Sequence, residues 1–252
     1  MQPRKSLGQH WLHDQATLDY IASCADISER DNILEVGPGT GTLTNSLLSQ
    51  GAKVLAIEKD EELAAKLPRH QNLTVAAGDI LKFDLASLPA NYKVVANIPY
   101  YLTSKLLRVL CETTNPPSLM VLLVQKEVAA RLAAEPGQMS LLAVSVQLYY
   151  EPKLGKVVPA QLFEPPPKVD SQVVTLQRRQ GPLFDELDSQ KFLRVVKAGF
   201  SERRKKLRSS LAGGLGITKD KADTLLKSAG LKPDARAQEL SLAQWYRLYK
   251  NF

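Results

Sequence analysis

The order of helical and strand-like segments between about residues 15 and 150 is the feature that most constrains the fold of this chain. Short apolar runs alternate there with segments whose apolar residues recur at helical spacing. The predicted strands are 32–36, 53–58, 73–77, 93–96 and 119–125, with 141–149 as a further candidate. The predicted helices are 18–24, 43–48, 61–67, 103–110 and 126–134. This alternation predicts an α/β fold, with a mainly parallel sheet and helices on both of its faces.

The pattern changes after residue 150. Strand-like segments at 153–159 and 172–177 flank the segment 163–171, which contains three consecutive prolines. Because consecutive prolines fit neither a helix nor a central strand, a stiff extended loop is predicted here. The Gln-Gly-Pro sequence at 180–182 indicates a linker, and short helices are predicted beyond it. We therefore predict two domains, a catalytic one at 1–180 and a small helical one at 181–252.

The positive charge is concentrated near the C-terminus. Residues 191–252 carry 15 Lys or Arg and 5 Asp or Glu, whereas the whole chain of 252 residues has a net charge of +7. This distribution is typical of a phosphate-binding appendage beside a near-neutral enzyme. A solvated lysine-rich face is the alternative. The densest cluster comprises Arg203, Arg204, Lys205, Lys206 and Arg208.

Composition argues against several other classes of protein. No stretch approaches the roughly 20 apolar residues that a membrane-spanning helix needs, and no signal-type apolar run follows the first residues. A cytosolic protein without a membrane partner is therefore expected. The two cysteines and three histidines do not form a pattern that predicts a disulfide or a metal site. A monomer is expected, because no exposed apolar stripe stands out.

A glycine-rich turn follows the first predicted strand. The segment 33–41, Ile-Leu-Glu-Val-Gly-Pro-Gly-Thr-Gly, runs from the strand into the turn, and a helix is predicted to begin near Thr42. Gly37, Gly39 and Gly41 would let the backbone turn sharply and approach a ligand closely. Their spacing is G-x-G-x-G and differs from the G-x-G-x-x-G of dinucleotide binders. The turn alone is therefore only a modest indication of a nucleotide-like ligand.

Acidic residues follow the next two predicted strands. Glu58 ends the second strand, where a carboxylate can accept hydrogen bonds from two ribose hydroxyls. Asp79 ends the third strand and could accept from an adenine amino group or cap a helix. A solvated strand-end acid is the alternative for Glu58. Because open α/β sheets bind ligands at the carboxyl ends of their strands, these residues together predict a site for an adenosine-containing cofactor.

The segment 97–101, Asn-Ile-Pro-Tyr-Tyr, follows the fourth predicted strand. The Oδ1 atom of Asn97 and the carbonyl of Pro99 can accept the two hydrogens of an exocyclic adenine amine while Tyr100 stacks on the ring. A plain strand-end turn is the alternative, since Asn and Pro favour turns. A nicotinamide cofactor would explain Glu58 and the glycines but not this segment, whereas S-adenosylmethionine beside an amine-bearing substrate explains all of them. We therefore predict a Rossmann-like, S-adenosylmethionine-dependent methyltransferase sheet.

The chain closely resembles the KsgA/RsmA family of small-subunit ribosomal RNA adenine dimethyltransferases. The resemblance covers nearly the whole chain and is carried by Glu58 and by the segments 5–14, 35–41, 78–80, 97–101, 163–171 and 200–205. It implies transfer of methyl groups from S-adenosylmethionine to N6 of two adjacent adenosines in the 3′-terminal hairpin of the small-subunit RNA. The substrate would be a pre-30S particle, the enzyme would contribute to subunit biogenesis, and the basic cluster would bind RNA phosphates.

The resemblance also implies roles for individual residues. Asn97 and Pro99 would hold the amine, and Tyr100 and Phe163 would sandwich the base. A core position is the alternative for Phe163. The family usually has Asn-Phe where this chain has His10 followed by Trp. Cofactor contacts are expected at His10, Leu12, Gly37, Gly39, Gly41, Glu58, Asp79, Ile80 and Asn97.

Three other functions are alternatives to small-subunit RNA methylation. A large-subunit ribosomal RNA methyltransferase of the antibiotic-resistance type shares the cofactor and the Asn-x-Pro-Tyr plan. The triple-proline segment and the Lys-Ser-Leu-Gly-Gln sequence at 5–9 favour the small-subunit family. A ribosome-assembly factor would bind immature particles, with methylation secondary. A Rossmann dehydrogenase is the most remote of the three.

Overall fold

A computed structural model describes residue 4, residues 8–202 and residues 204–252 of the chain. The chain divides into two compact units. The first contains residues up to 130 together with 150–178, and the second contains 131–149 together with 179–252. The sequence prediction placed the division at residue 180, so the structure differs from it in the segment 131–149.

The first unit contains all the strands among the described residues. They are β1 (Trp11–Leu12), β2 (Asn32–Val36), β3 (Lys53–Glu58), β4 (Leu73–Ala77), β5 (Lys93–Asn97), β6 (Leu119–Gln125), β7 (Tyr150–Val158), β8 (Phe163–Glu164) and β9 (Ser171–Arg178). Seven of them form one sheet in the order β4-β3-β2-β5-β6-β9-β7. The neighbours from β4 to β6 are parallel, and β9 is antiparallel to both β6 and β7. The predicted α/β fold with a mainly parallel sheet is confirmed.

The helices of the first unit begin after the strands that carry the site. They are α1 (Gln15–Ser23), α2 (Thr42–Ser49), α3 (Glu61–Ala64), α4 (Thr103–Glu112) and α5 (Lys126–Leu132), the last of which crosses residue 130. Short 3₁₀ turns at Ile80–Lys82 and Leu85–Ser87 take the place of a longer helix between β4 and β5. The apolar core of the unit lies between the sheet and its helices, where β6 is buried along its length except at Gln125. The buried strands hold the turns at their carboxyl ends in fixed positions.

The second unit is entirely helical among its described residues. After α5, its helices are α6 (Leu141–Gln147), α7 (Ser189–Gly199), α8 (Leu207–Leu215), α9 (Lys219–Ser228) and α10 (Leu242–Lys250). They enclose an apolar core that includes Phe192, Leu211 and Trp245. No helix in the described part of the chain is long and apolar enough to cross a membrane.

Helix α6 corrects the strand proposed at 141–149. The side chain of Ser140 accepts a hydrogen bond from the Ala143 amide at 3.1 Å, which caps the start of the helix. Ala143 and Val144 are then buried in the same core as α7 to α10. A short apolar run fits a buried strand and a buried helix equally well, so periodicity alone did not separate the two.

Candidate functional site

A cavity of about 240 Å³ lies at the edge of the sheet where β2, β3, β4 and β5 end. Residues that follow these strands form its wall, together with the segment 8–12. Neighbouring strands end nearly level with one another, since Val36 pairs with Ile57 and Glu58 pairs with Ala77. The predicted site residues that line the cavity are His10, Leu12, Gly37, Gly39, Glu58, Asp79, Ile80, Asn97, Pro99 and Tyr100.

The glycines of the turn after β2 have different roles. Gly39 has a φ of +58°, and a Cβ atom there would lie 3.3 Å from the indole of Trp11. The backbone at Gly39 therefore fits closely against another part of the cavity wall. Gly41 has a φ of +81° and stands at the N-terminus of α2, where a Cβ atom would lie 2.9 Å from Leu67. It does not line the cavity and acts by shaping the turn.

The carboxylate of Glu58 is buried and fixed from two sides. Its Oε2 atom accepts a hydrogen bond from the Gly39 amide at 3.0 Å, and its Oε1 atom accepts one from the Asp60 amide at 2.9 Å. Each carboxylate oxygen can accept a second hydrogen bond. Glu58 therefore joins the end of β3 to the glycine turn and keeps acceptor capacity for hydroxyl groups of a ligand.

Asp79 caps a turn and also lines the cavity. Its Oδ1 atom accepts from the Leu81 amide at 3.0 Å, which caps the 3₁₀ turn Ile80–Lys82. Its Oδ2 atom forms an ion pair with Lys59 at 2.9 Å. The hydrogen bond from Lys59 holds the pKa of the Asp79 carboxyl below its usual value. Asp79 therefore has the helix-cap role that the sequence allowed. An amino group of a ligand would share this carboxylate with the Leu81 amide and Lys59.

The side chain of Asn97 has a defined orientation. Its Nδ2 group donates a hydrogen bond to the His10 carbonyl at 3.2 Å. The opposite orientation would place two oxygens against each other, so Oδ1 is the atom left without a partner among the described residues. Two residues along, the Pro99 carbonyl accepts from the Leu102 amide at 2.9 Å and keeps a second lone pair. Asn97 and Pro99 both line the cavity, and each keeps capacity to accept a hydrogen bond.

Tyr100 is held at both its hydroxyl and its ring. The hydroxyl lies 2.8 Å from the Ser171 hydroxyl, and burial raises the pKa of Tyr100 above its usual value. The ring stacks on the imidazole of His10, with centroids 5.6 Å apart and planes 24° apart. The Nδ1 atom of His10 lies 2.6 Å from the Pro165 carbonyl, which can only accept, so Nδ1 carries the hydrogen. The proline-rich loop and the N-terminal segment thereby fix the aromatic wall.

Phe163 does not line the cavity. It is 4% exposed and belongs to the apolar core of the first unit. In the two-stranded sheet of β1 and β8, Phe163 pairs with Leu12, and Glu164 pairs with Trp11. Phe163 therefore has the core position that was the alternative in the sequence prediction. Strand β8 pairs with β1, and the Phe163 side chain is buried in the apolar core.

Glu35, which is not among the site residues predicted from the sequence, also lines the cavity. Glu35 is 1% exposed, and its Oε2 atom accepts from the Thr44 hydroxyl at 2.7 Å. Burial raises the pKa of Glu35 to about 8, the Thr44 hydrogen bond opposes this shift, and the charge of Glu58 adds to it. An acidic residue within the apolar run Ile-Leu-Glu-Val was the available signal.

Trp11 was noted only as a departure from the usual family sequence, but it forms part of the cavity wall. Its ring lies against Gly39, and its buried Nε1 group has no hydrogen-bond partner among the described residues.

The basic cluster lies in the second unit, and its members differ in pairing. Arg203 is outside the described residues. Arg204, Lys205 and Lys206 are exposed, and Lys205 forms an ion pair with Glu202. Arg208 lies 2.9 Å from Asp223. Leu207 and Leu211, in the same helix as Arg208, are buried.

The chain is similar to known proteins over nearly its whole length. A family model described as ribosomal RNA adenine dimethylase matches residues 1–252. The chain is 41% identical over 255 residues to ribosomal RNA small subunit methyltransferase A of Dehalococcoides mccartyi, covering 98% of this chain and 88% of the relative.

Two solved structures are similar over nearly the whole chain. A dimethyladenosine transferase from Plasmodium falciparum has a TM-score of 0.80 and 27% identity, with 95% of this chain and 96% of that chain covered. The 23S rRNA methyltransferase ErmE has a TM-score of 0.75 and 28% identity, with 96% of this chain and 98% of that chain covered.

Proposed function

Because the chain belongs to the ribosomal RNA adenine dimethylase family, we propose that its cavity binds S-adenosylmethionine next to a target adenine of ribosomal RNA. The chain is an RNA adenine dimethyltransferase of the small-subunit type. The proposed targets are two adjacent adenosines in the 3′-terminal hairpin of the small-subunit RNA, and the proposed product is N6,N6-dimethyladenosine. The observation that carries the proposal is the hydrogen bond from Asn97 Nδ2 to the His10 carbonyl, which leaves Oδ1 as the atom of Asn97 that can accept from an amine.

The cavity residues fit the proposed cofactor. Glu58 offers fixed carboxylate oxygens to the two ribose hydroxyls, and the turn at Gly37 and Gly39 lets the backbone approach closely. Asp79 and Ile80 lie at the wall where the adenine would bind. His10 and Leu12 supply a further wall from the N-terminal segment. When bound, S-adenosylmethionine supplies an electrophilic methyl group on a sulfonium.

Asn97 Oδ1 and the Pro99 carbonyl would make the adenine amine nucleophilic. In free adenine the lone pair of N6 is delocalised into the ring. Hydrogen bonds from the amine to Asn97 and Pro99 would favour a tetrahedral nitrogen and localise that lone pair. The orientation of Asn97 set by His10 means that this side chain needs no rearrangement to accept. Positioning of this kind contributes by alignment, and no general base is required.

Tyr100 would provide the stacking surface for the base. Its hydroxyl and ring are already held by Ser171 and His10, so little side-chain freedom would be lost on binding. A stack of this type is worth about 1–3 kcal/mol. Phe163, buried and paired with Leu12, would support the cavity wall without contacting the base.

The second unit would bind the RNA through charge. The exposed Arg204 and Lys206, with Arg203, Lys205 and Arg208, are proposed to contact phosphates of the small-subunit RNA in a pre-30S particle. Such contacts position the RNA but carry little sequence information. We further propose that the enzyme acts as a monomer in the cytoplasm, where this particle is assembled.

The test is methyl incorporation from labelled S-adenosylmethionine into unmethylated small ribosomal subunits, with large subunits in parallel and nucleoside analysis of the product. Dimethyladenosine confined to the small-subunit RNA is the expected result. Label in the large subunit would instead assign the substrate of the resistance-type enzymes. Cofactor binding without label in either subunit would leave particle binding as the main role.

A further inference from the structure

A large aromatic side chain is exposed at the mouth of the cavity. Tyr101 is 53% exposed, whereas the neighbouring Leu102 is 8% exposed. Five large apolar or aromatic residues are strongly exposed in the described part of the chain, and Tyr101 is the one among them that lines the cavity. An exposed aromatic ring on the cavity wall can offer a stacking surface to a base.

The ring of Tyr101 is supported along one side by backbone. Gly8 has a φ of +58°, and a Cβ atom there would lie 3.2 Å from Cδ1 and 3.6 Å from Cε1 of Tyr101. The N-terminal segment that forms the cavity wall thus also packs against this ring. More than half of the side chain remains accessible, which suits a flat partner that arrives from solvent.

A cation without an ion-pair partner follows Tyr101 by one helical turn. Tyr101 lies in the 3₁₀ turn Tyr100–Leu102, which continues into α4, and Lys105 lies in the first turn of α4. Lys105 is exposed, lines the cavity and has no ion pair with any described residue. Lys59, which also lines the cavity, is already paired with Asp79. Lys105 is therefore available to bind an anion beside the exposed ring.

We propose that Tyr101 and Lys105 form a second nucleotide subsite at the rim of the cavity. The base next to the target adenosine stacks on Tyr101, and its phosphate pairs with Lys105. Adjacent nucleotides share a phosphate, so a base inserted in the cavity leaves its neighbour at the rim with one face unstacked. This inference rests on the proposed function, which assigns no partner to that neighbour.

A series at position 101 tests the stacking. We would compare the wild type with Tyr101→Phe, Tyr101→Leu and Tyr101→Ala, measuring kcat and KM for unmethylated small subunits and the Kd for S-adenosylhomocysteine without RNA. Tyr101→Phe keeps the aromatic face, whereas Tyr101→Leu keeps only apolar bulk. We expect Leu and Ala to raise KM about tenfold and Phe to stay within about twofold of the wild type. The Kd for S-adenosylhomocysteine is expected to stay unchanged in all three.

The phosphate contact is tested by salt dependence. We expect Lys105→Gln to reduce the slope of log binding constant against log salt concentration by about one. Lys53→Gln removes the same charge at the opposite edge of the sheet, where β3 begins, and should leave the slope unchanged. Equal slopes in the two variants would reject the phosphate contact.

Other results in the position-101 series would overturn the stacking. If Leu performs as well as Phe, the contact is not a stack. If the affinity for S-adenosylhomocysteine falls while KM rises, Tyr101 belongs to the cofactor site. Methylation of small subunits by the wild type tests the proposed function separately, so equal KM values for wild type and Tyr101→Ala would reject the subsite alone.

Discussion

The two units display their polar groups in different ways. In the first unit, polar groups at the cavity are held by specific hydrogen bonds, as Glu58 is by two amides and Asn97 is by a carbonyl. In the second unit, a basic cluster lies exposed above an apolar helical core. Side chains in a fixed geometry can recognise one amine, whereas exposed positive charge attracts the phosphates of RNA of any sequence. Substitution of the acceptors that are fixed in the cavity should therefore change catalysis, whereas substitution of the exposed basic cluster should change RNA binding.

The largest effect is expected from Asn97→Ala. The alanine variant lacks the acceptor that localises the N6 lone pair, so we expect kcat for methyl transfer to small subunits to fall about 10²- to 10³-fold. Binding of the variant to the same particles should remain within about twofold of the wild type, because the basic cluster is unchanged. A variant that methylates normally would contradict the role of Asn97, and a large loss of particle binding would contradict the contrast between the units.

The next largest effect concerns close helix packing in the second unit. A Cβ atom at Gly214 would lie 2.6 Å from Cα and 3.0 Å from the carbonyl oxygen of Ala198, both of them backbone atoms. We expect Gly214→Ala to lower the free energy of unfolding by about 3 kcal/mol, measured by denaturant titration.

The adjacent glycine provides the control for Gly214→Ala. A Cβ atom at Gly213 would approach only the Glu202 carboxylate, at 3.9 Å, within the same helix. Gly213→Ala should be neutral or stabilising by up to about 1 kcal/mol, since alanine favours a helix. Equal destabilisation by both variants would show that the close contact between α8 and α7 at Gly214 is not the cause.

The next prediction concerns Glu35, which should make the free energy of unfolding depend on pH. Its pKa of about 8 in the folded protein lies above the ordinary value of 4.5, so the folded state keeps a proton that the unfolded state releases. The contribution of Glu35 to stability should therefore be fully present below about pH 4.5 and should decrease as the pH rises toward 8, by roughly 1.4 kcal/mol per pH unit. The difference in unfolding free energy between the wild type and Glu35→Gln, measured across this range, isolates the contribution.

Glu35→Gln is a matched variant because its amide oxygen can still accept from the Thr44 hydroxyl. The variant should gain stability relative to the wild type as the pH rises. A difference that stays constant between pH 4.5 and 8 would mean that Glu35 is not held protonated.

Much of the first unit could be predicted from the sequence because its signals are local. The strands at 32–36, 53–58, 73–77 and 119–125 have the predicted bounds. The rule that ligands bind at the carboxyl ends of parallel strands then brought Glu58, Asp79 and Asn97 to one edge. The burial of Phe163 and the role of Trp11 could not be predicted, since both depend on pairing of β1 with β8, which lie about 150 residues apart in the chain.

The smallest expected effect compares two members of the basic cluster. Lys206 is exposed and has no ion pair with any residue that the structure describes, whereas Arg208 lies 2.9 Å from Asp223. We expect Lys206→Gln to weaken binding to small subunits by a few-fold and to reduce the salt slope by about one. Arg208→Gln should change both less, because its charge is partly neutralised by Asp223. If neither slope changes, the cluster is a solvated face, and RNA binding must be sought on another surface of the protein.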